Sequence, residues 1–251
     1  MRFAYVIIKW SSTFLTQTLN SIPTGSEFTV IDNKVLGWPL AKAWNHAVDM
    51  VLWNKAYDAV IIMNDDVVLR PDTGELLAWG MLEGQFEQRV TGTTSKYGQI
   101  DNYWPHPTAP QRELLLLSAR HAHWSDACTD SPDWDMLNAA KPIWQPGPDF
   151  SCFCVTRRLG QEIGRFDENF NPAYLEDNDT HRRIQLAGFE AGALAPYWHF
   201  LNGTIRSDPE RATAVRNSFE RCKKYYCEKW GAPLDSGSPI GRETFLTPFN
   251  Q

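Results

Sequence analysis

The chain has five cysteines and no Cys-x-x-Cys pair: they stand at Cys128, Cys152, Cys154, Cys222 and Cys227. That spacing argues against a zinc ribbon. Cys152 and Cys154 sit two apart in an apolar segment, where a strand points both to one face, so both are expected as buried, reduced thiols. No apolar run approaches the roughly 18–20 residues that cross a bilayer. Residues 1–9 lack the long apolar core and small-residue cleavage site of a signal peptide and read as a first strand, which makes a cytoplasmic location the expectation. Basic residues are in the minority, 24 Lys and Arg against 30 Asp and Glu, so a global footprint for nucleic acid is missing. One local cluster departs from this: Arg206, Arg211, Arg216, Arg221, Lys223, Lys224 and Lys229 fall in a single stretch, either a basic face or a solvated helix surface. No Gly-rich phosphate loop follows the first strand, which argues against a nucleotidyltransferase.

What is present suits one sizeable folded α/β domain: 251 residues, 43% apolar and 22% charged. Residues 3–8 form a compact apolar run for a central strand, 14–21 a short helix, and 27–31 a second strand closing on Asp32 and Asn33. Residues 40–54 carry apolar side chains at a helical period. Residues 57–63 are a strand apolar on both faces, ending at Asn64-Asp65-Asp66. This alternation predicts a largely parallel sheet with right-handed crossovers, and such sheets bind ligands beyond the carboxyl ends of their strands. Two of those ends carry acidic groups.

Residues 91–148 are less regular and hold Trp104, Trp124, Trp134 and Trp144, either stacking platforms or anchors for a long loop region. His121 and His123 form a His-x-His pair with no third ligand near in sequence. Further on, 150–156 reads as a strand, 157–163 as a short helix and 176–187 as a helix stopped at Gly188. The stretch 191–200 contains Pro196 and is expected to be at most an edge strand. Residues 209–230 read as a long helix with Asp208 as cap and Pro209 in its first turn.

Carboxylates beside a buried strand need compensation, and a hard divalent cation supplies it through one or two carboxylates plus phosphate and water. Asn64-Asp65-Asp66 fits that role, or a plain polar turn. In Glu176-Asp177-Asn178-Asp179, three acids in four positions either cap a helix or include a general base. His199, between Trp198 and Phe200, is either a core histidine or a ligand for metal or phosphate.

Taken in order, these segments resemble the GT-A fold glycosyltransferases, in particular the inverting family 2 with its rhamnosyltransferase-like members. The resemblance covers residues 3–204. Residues 30–33 resemble the family's second strand, whose acidic end contacts the nucleotide, and 36–45 (Leu-Gly-Trp-Pro-Leu-Ala-Lys-Ala-Trp-Asn) the segment along the donor. Residues 61–69 resemble its DXD region, and 164–170 followed by 176–179 its acceptor-side block. Arg182 and Gly188 also fall where the family has an Arg and a Gly. The resemblance implies a mixed, mostly parallel sheet flanked by helices, a catalytic domain over 1–205 (nucleotide half about 1–90, acceptor half about 91–205) and a C-terminal helix and tail over 206–251. It implies Asp177 as base with Glu176 beside it, and Asp66 and His199 at a Mn²⁺ or Mg²⁺ ion. Asp32, Asn33, Trp38, Asn45, Asn64 and Asp65 would meet the nucleotide diphosphate sugar, and Trp44 could line the same pocket. The implied acceptor is a glycan or lipid-linked glycan, with a protein or a hydroxylated DNA base also open. The pattern departs from the family at Lys9-Trp10-Ser11-Ser12, where the first strand usually ends Pro-Thr-Tyr-Asn, and at Trp44. The rival class is a nucleotide-sugar or glycan-binding module without turnover.

Overall fold

The computed structural model describes residues 2–11, 13–55, 57–82, 113–122, 131–142, 145–200 and 208–230. Within them the chain is an α/β protein built on one mixed sheet flanked by helices, as the resemblance implies. Strands β1 (Phe3–Lys9), β2 (Phe28–Asp32) and β3 (Ala59–Asn64) pair in parallel, in the order β2-β1-β3. The sheet continues through β7 (Cys152–Thr156), β5 (Leu114–His121), β8 (Glu190–His199) and β4 (Val67–Leu69), while the short β6 (Gln145–Pro146) pairs with β8.

The pairings fix every strand's direction. β7 runs against both β3 and β5, β5 runs with β8, and β4 runs against β8. Hence β1, β2, β3, β5 and β8 point one way, and β4, β6 and β7 the other. The carboxyl ends of the first five and the amino ends of β4 and β7 therefore meet on one edge.

Alternation along the central strands explains why both faces are covered. Val6, Ile8, Val60, Ile62, Phe153 and Val155 join one core cluster with Trp44 of α3 (Leu40–Val48). Tyr5, Ile7, Ile61, Met63, Cys152 and Cys154 join the other, with Leu76, Leu77 and Met81 of α4 (Thr73–Leu82). A Cβ at Gly74 would lie 1.9 Å from the Tyr5 hydroxyl oxygen, so glycine lets α4 sit close on the sheet. Cys152 and Cys154 are buried free thiols, and burial pushes both well up from their ordinary range. Cys128 lies outside the described residues.

Several expectations change. The helix of residues 40–54 is α3 followed by a π-helical turn, Asp49–Asn54. In the region read as irregular, Leu114–His121 is a strand buried through Ala119, and Trp134–Ala139 is a short helix, α5. Residues 190–199 are no edge strand but a ten-residue buried one with partners on both sides. Pro196 is tolerated because β6 pairs only at Gly192 and Ala193 and β4 only from Tyr197 onward. In the gap, the Thr73 hydroxyl donates to the Pro196 carbonyl at 2.7 Å.

Two shorter helices follow the centre of the sheet, α6 (Arg157–Ile163) and α7 (Glu176–Leu186), and α8 (Pro209–Trp230) closes the described chain. Ala212, Val215, Ser218, Cys222 and Tyr226 form the buried stripe of α8, and Cys222 and Tyr226 pack on Phe170 and Leu175. Part of the basic cluster is thereby used inside the protein. Lys229 pairs with Asp167 at 2.6 Å and Asp179 at 2.7 Å, and Arg221 donates to the Asn171 carbonyl. Lys224 instead pairs along the helix with Glu228, both exposed. No helix among the described residues is long and apolar enough to cross a membrane.

Candidate active site

The edge where the strand ends meet opens into a cavity of about 290 Å³. Its lining includes Asn33, Asn64, Asp65, Asp66, Glu176, Asp177 and His199, so seven of the ten residues expected at a site share one space. Trp10 and Tyr174 add aromatic faces, Trp44 reaches the cavity only from the core, where it packs on Phe150, Phe153 and Phe166, and Asp149 adds a fifth carboxyl.

Asp32, Trp38 and Asn45 are not among the lining residues. Asp32 bonds Lys9 at 2.5 Å and accepts from the Val35 amide at 3.3 Å, and the lysine bond holds its carboxyl below the usual range. Trp38 stacks edge-on against His46 and lies under the Lys42 ammonium. Asn45 accepts from the Phe166 amide and donates to Glu168 and the Phe166 carbonyl, which pins residues 166–168 to α3.

The two aspartates after β3 do different work. Asp65 accepts from the amides of Trp10 (2.8 Å) and Ser11 (2.5 Å), so it fixes the chain leaving β1. Asp66 faces His199, with 3.3 Å between Oδ1 and Nε2. Burial disfavours the charged imidazole, but Asp66, with Asp149 behind it, outweighs this and raises the His199 pKa. The His199 Nδ1 has no hydrogen-bond partner among the described residues.

Asp149 has no counterpart in the sequence reading. It precedes β7, which runs against β3, so the start of β7 falls beside the end of β3: Met63 pairs with Cys152, and the Asn64 amide donates to the Ser151 carbonyl at 2.8 Å. Asp149 accepts from the Tyr197 hydroxyl (2.6 Å) and the Ser151 amide (2.8 Å) and lies 2.9 Å from His121 Nε2. Burial opposes its ionisation, yet the His121 bond, the His199 and His121 charges and the Tyr197 bond hold the carboxyl well below the usual range. His121 thus finds the ligand-type neighbours that its His-x-His spacing did not show, whereas His123 lies outside the described residues. The available signal was Pro148-Asp149-Phe150, an acid opening an apolar strand.

Also at the cavity, Tyr174 and Leu175 both adopt left-handed backbone (φ 86° and 72°) and deliver Glu176 and Asp177 as the first turn of α7. Such conformations are costly for non-glycine residues and persist only where the surroundings hold them. Leu175 is held by the cluster beneath α8. Burial, then the charge of Asp177, pushes the Glu176 carboxyl well up. Asp177 is raised chiefly by burial, with Asp149 adding to it, against a 2.8 Å bond from the Asn178 amide. The Glu176 Oε2 has no partner among the described residues. Asp179 turns away: fully buried, it binds Arg183, Lys229 and the Trp230 indole.

No protein-family profile and no curated protein matches the chain. Among solved structures it is similar to glucosyl-3-phosphoglycerate synthase from Mycobacterium tuberculosis bound to Mn²⁺, uridine diphosphate and phosphoglyceric acid. That likeness has a TM-score of 0.47 and 11% identity, over 95% of this chain and 82% of that one. Drosophila β-1,4-galactosyltransferase 7, with manganese, UDP-Gal and xylobiose, follows at TM-score 0.43 and 12% identity, over 84% and 75%. A Pyrobaculum calidifontis mannosyltransferase bound to GDP-Man and Mn²⁺ gives 0.37 and 15%, over 76% and 53%. These likenesses are distant, so what the chain can do is read from the residues around its own cavity.

Proposed function

We propose that the chain is a divalent-metal-dependent glycosyltransferase that moves a sugar from a nucleotide diphosphate donor to an acceptor hydroxyl with inversion. One observation carries this reading. Five carboxyl side chains and one histidine line the cavity, and no lysine or arginine does so among the described residues. Acids gathered in a partly dry space need a cation, and a diphosphate entering among them needs one still more. Asp66 and His199 fit the ion: their facing atoms stand 3.3 Å apart, and the second His199 nitrogen is buried with no hydrogen-bond partner among the described residues. When bound there, a divalent ion offsets the negative charge that grows on the leaving diphosphate.

The chain's own residues supply the rest. Trp10 and Tyr174 offer flat faces to base or sugar, and Asn33 and Asn64 offer amides to the nucleoside side. Asp177 takes the proton of the acceptor hydroxyl as its oxygen bonds to the anomeric carbon and the bond from that carbon to the diphosphate breaks. Its raised pKa suits this, because a base works best with a pKa near the working pH. Asp65 positions the chain after β1, and Asp32 acts at one remove by fixing Lys9 and the start of α2 (Asn33–Leu36). The resemblance makes a glycan or lipid-linked glycan the first acceptor to try.

The test is a panel of nucleotide sugars with Mn²⁺, read as released nucleoside diphosphate. One donor should be consumed, and Asp66→Ala should abolish metal-dependent binding of that donor. If no donor is consumed and Mn²⁺ does not promote nucleotide binding, the proposal fails.

A further inference from the structure

We infer that His121 and Asp149 join His199 in holding the cation beside this cavity, and that this set of three side chains selects a transition-metal ion over Mg²⁺. The inference rests on the metal-dependent reading above and extends it to two residues which that reading does not need.

The sheet itself brings the three together. His121 and His199 end two parallel neighbours, β5 and β8, and Asp149 stands just before the reversed β7. One donor atom from each of His121, Asp149 and His199 lies within 4.8 Å of the other two. The imidazole rings of His121 and His199 have centroids 5.2 Å apart and are tilted by 39°.

The separation of the closest pair matches shared coordination. Two donors each about 2.1 Å from one ion stand roughly 3.0 Å apart at a right angle and roughly 3.4 Å apart at the tetrahedral angle. His121 Nε2 and Asp149 Oδ2 are 2.9 Å apart. A supporting shell is also built. The Tyr197 hydroxyl and the Ser151 amide fix the Asp149 carboxylate, and the Ser118 hydroxyl accepts from the Asp149 amide at 2.7 Å. Metal-ligating carboxylates are commonly steadied in this way.

Ligand type then decides the ion. Mg²⁺ takes oxygen ligands in a near-ideal octahedron and keeps several waters, whereas imidazole suits Mn²⁺ less than Zn²⁺ but all such ions more than Mg²⁺. Two imidazoles with one carboxylate therefore favour a transition ion, with Mn²⁺ as the probe that is both paramagnetic and able to replace Mg²⁺.

The experiment is Mn²⁺ titration of the full chain, followed by electron-spin-echo spectroscopy of the bound ion, in which each ligating imidazole contributes ¹⁴N modulation. The expected wild-type spectrum shows two imidazoles, and a 100-fold excess of Mg²⁺ leaves it unchanged. His121→Gln should show one, with Mn²⁺ binding weakened by about 10–100-fold, and Asp149→Asn should weaken binding to a similar degree. A wild-type spectrum with a single imidazole overturns the inference without recourse to any variant. So does full Mn²⁺ affinity in a folded His121→Gln protein. Neither result touches Asp66 and His199. Unchanged Mn²⁺ binding in Asp66→Ala and His199→Ala would instead remove the functional reading itself.

Discussion

Replacing Asp177 by asparagine exchanges one carboxylate oxygen for an amide nitrogen and leaves the other to accept the Asn178 amide, now bonded at 2.8 Å. The first turn of α7 should therefore keep its geometry while the proposed base is lost. A positioned base contributes about 10²–10⁴-fold, or roughly 2.7–5.5 kcal/mol of barrier. With the donor identified in the panel, kcat should fall by that factor, while the affinity for the donor stays within about threefold. The pH profile supplies a second readout. A base acts when deprotonated, so activity is present above its pKa and lost as pH falls through it. Burial and Asp149 raise the Asp177 pKa, so the acid limb of kcat/KM should lie above the ordinary carboxylate range and disappear in the variant. Glu176, whose ionisation Asp177 opposes, should ionise more readily in Asp177→Asn, and any residual turnover should vanish in the double variant with Glu176→Gln. A kcat within about threefold of wild type for Asp177→Asn would refute the assignment.

Two further outcomes concern stability. Lys229→Met removes the cation that joins Asp167 and Asp179 but leaves Asp179 with Arg183 and the Trp230 indole. The cost should therefore be about 2 kcal/mol, below the 3–5 kcal/mol of a wholly stranded buried charge, and Tm should drop by roughly 4–8 °C. Calorimetry showing no shift would mean that α8 is held by its apolar stripe alone. Burial pulls the His181 pKa down from 6.5 to about 4. The unfolded chain takes up that proton first, so the neutral histidine's contribution is whole above pH 6.5 and shrinks as pH falls toward 4. In urea unfolding, wild type minus His181→Gln should lose up to about 3 kcal/mol across that window. A flat difference curve would show that His181 does not titrate as described.

Alternation made the parallel half of the sheet legible, because strands apolar on both faces and helices of period 3.6 leave separate marks at 3–8, 40–54 and 57–63. The second half was harder for two physical reasons. Leu114–His121 follows residues with no periodic signal, and Pro196 looks like an edge mark until the gap between β6 and β4 is known. The same reversal hid Asp149. In a parallel sheet ligand-type acids gather at the carboxyl ends of strands, and β7 brings one in from its amino end. Residues of the acidic run could be named but not sorted. Only the folded chain separates Asp177 and Glu176, at the cavity, from Asp179, tied to Lys229 and Trp230.

The last helix connects distant parts of this arrangement. Val215 touches the cavity, and Lys229, fourteen residues on, grips the segment and helix that present Glu176 and Asp177. At about 1.5 Å per residue, those two points stand roughly 21 Å apart on one rod. The rod that carries Val215 is bolted at its far end by two carboxylates, so loosening that bolt changes the room in the cavity.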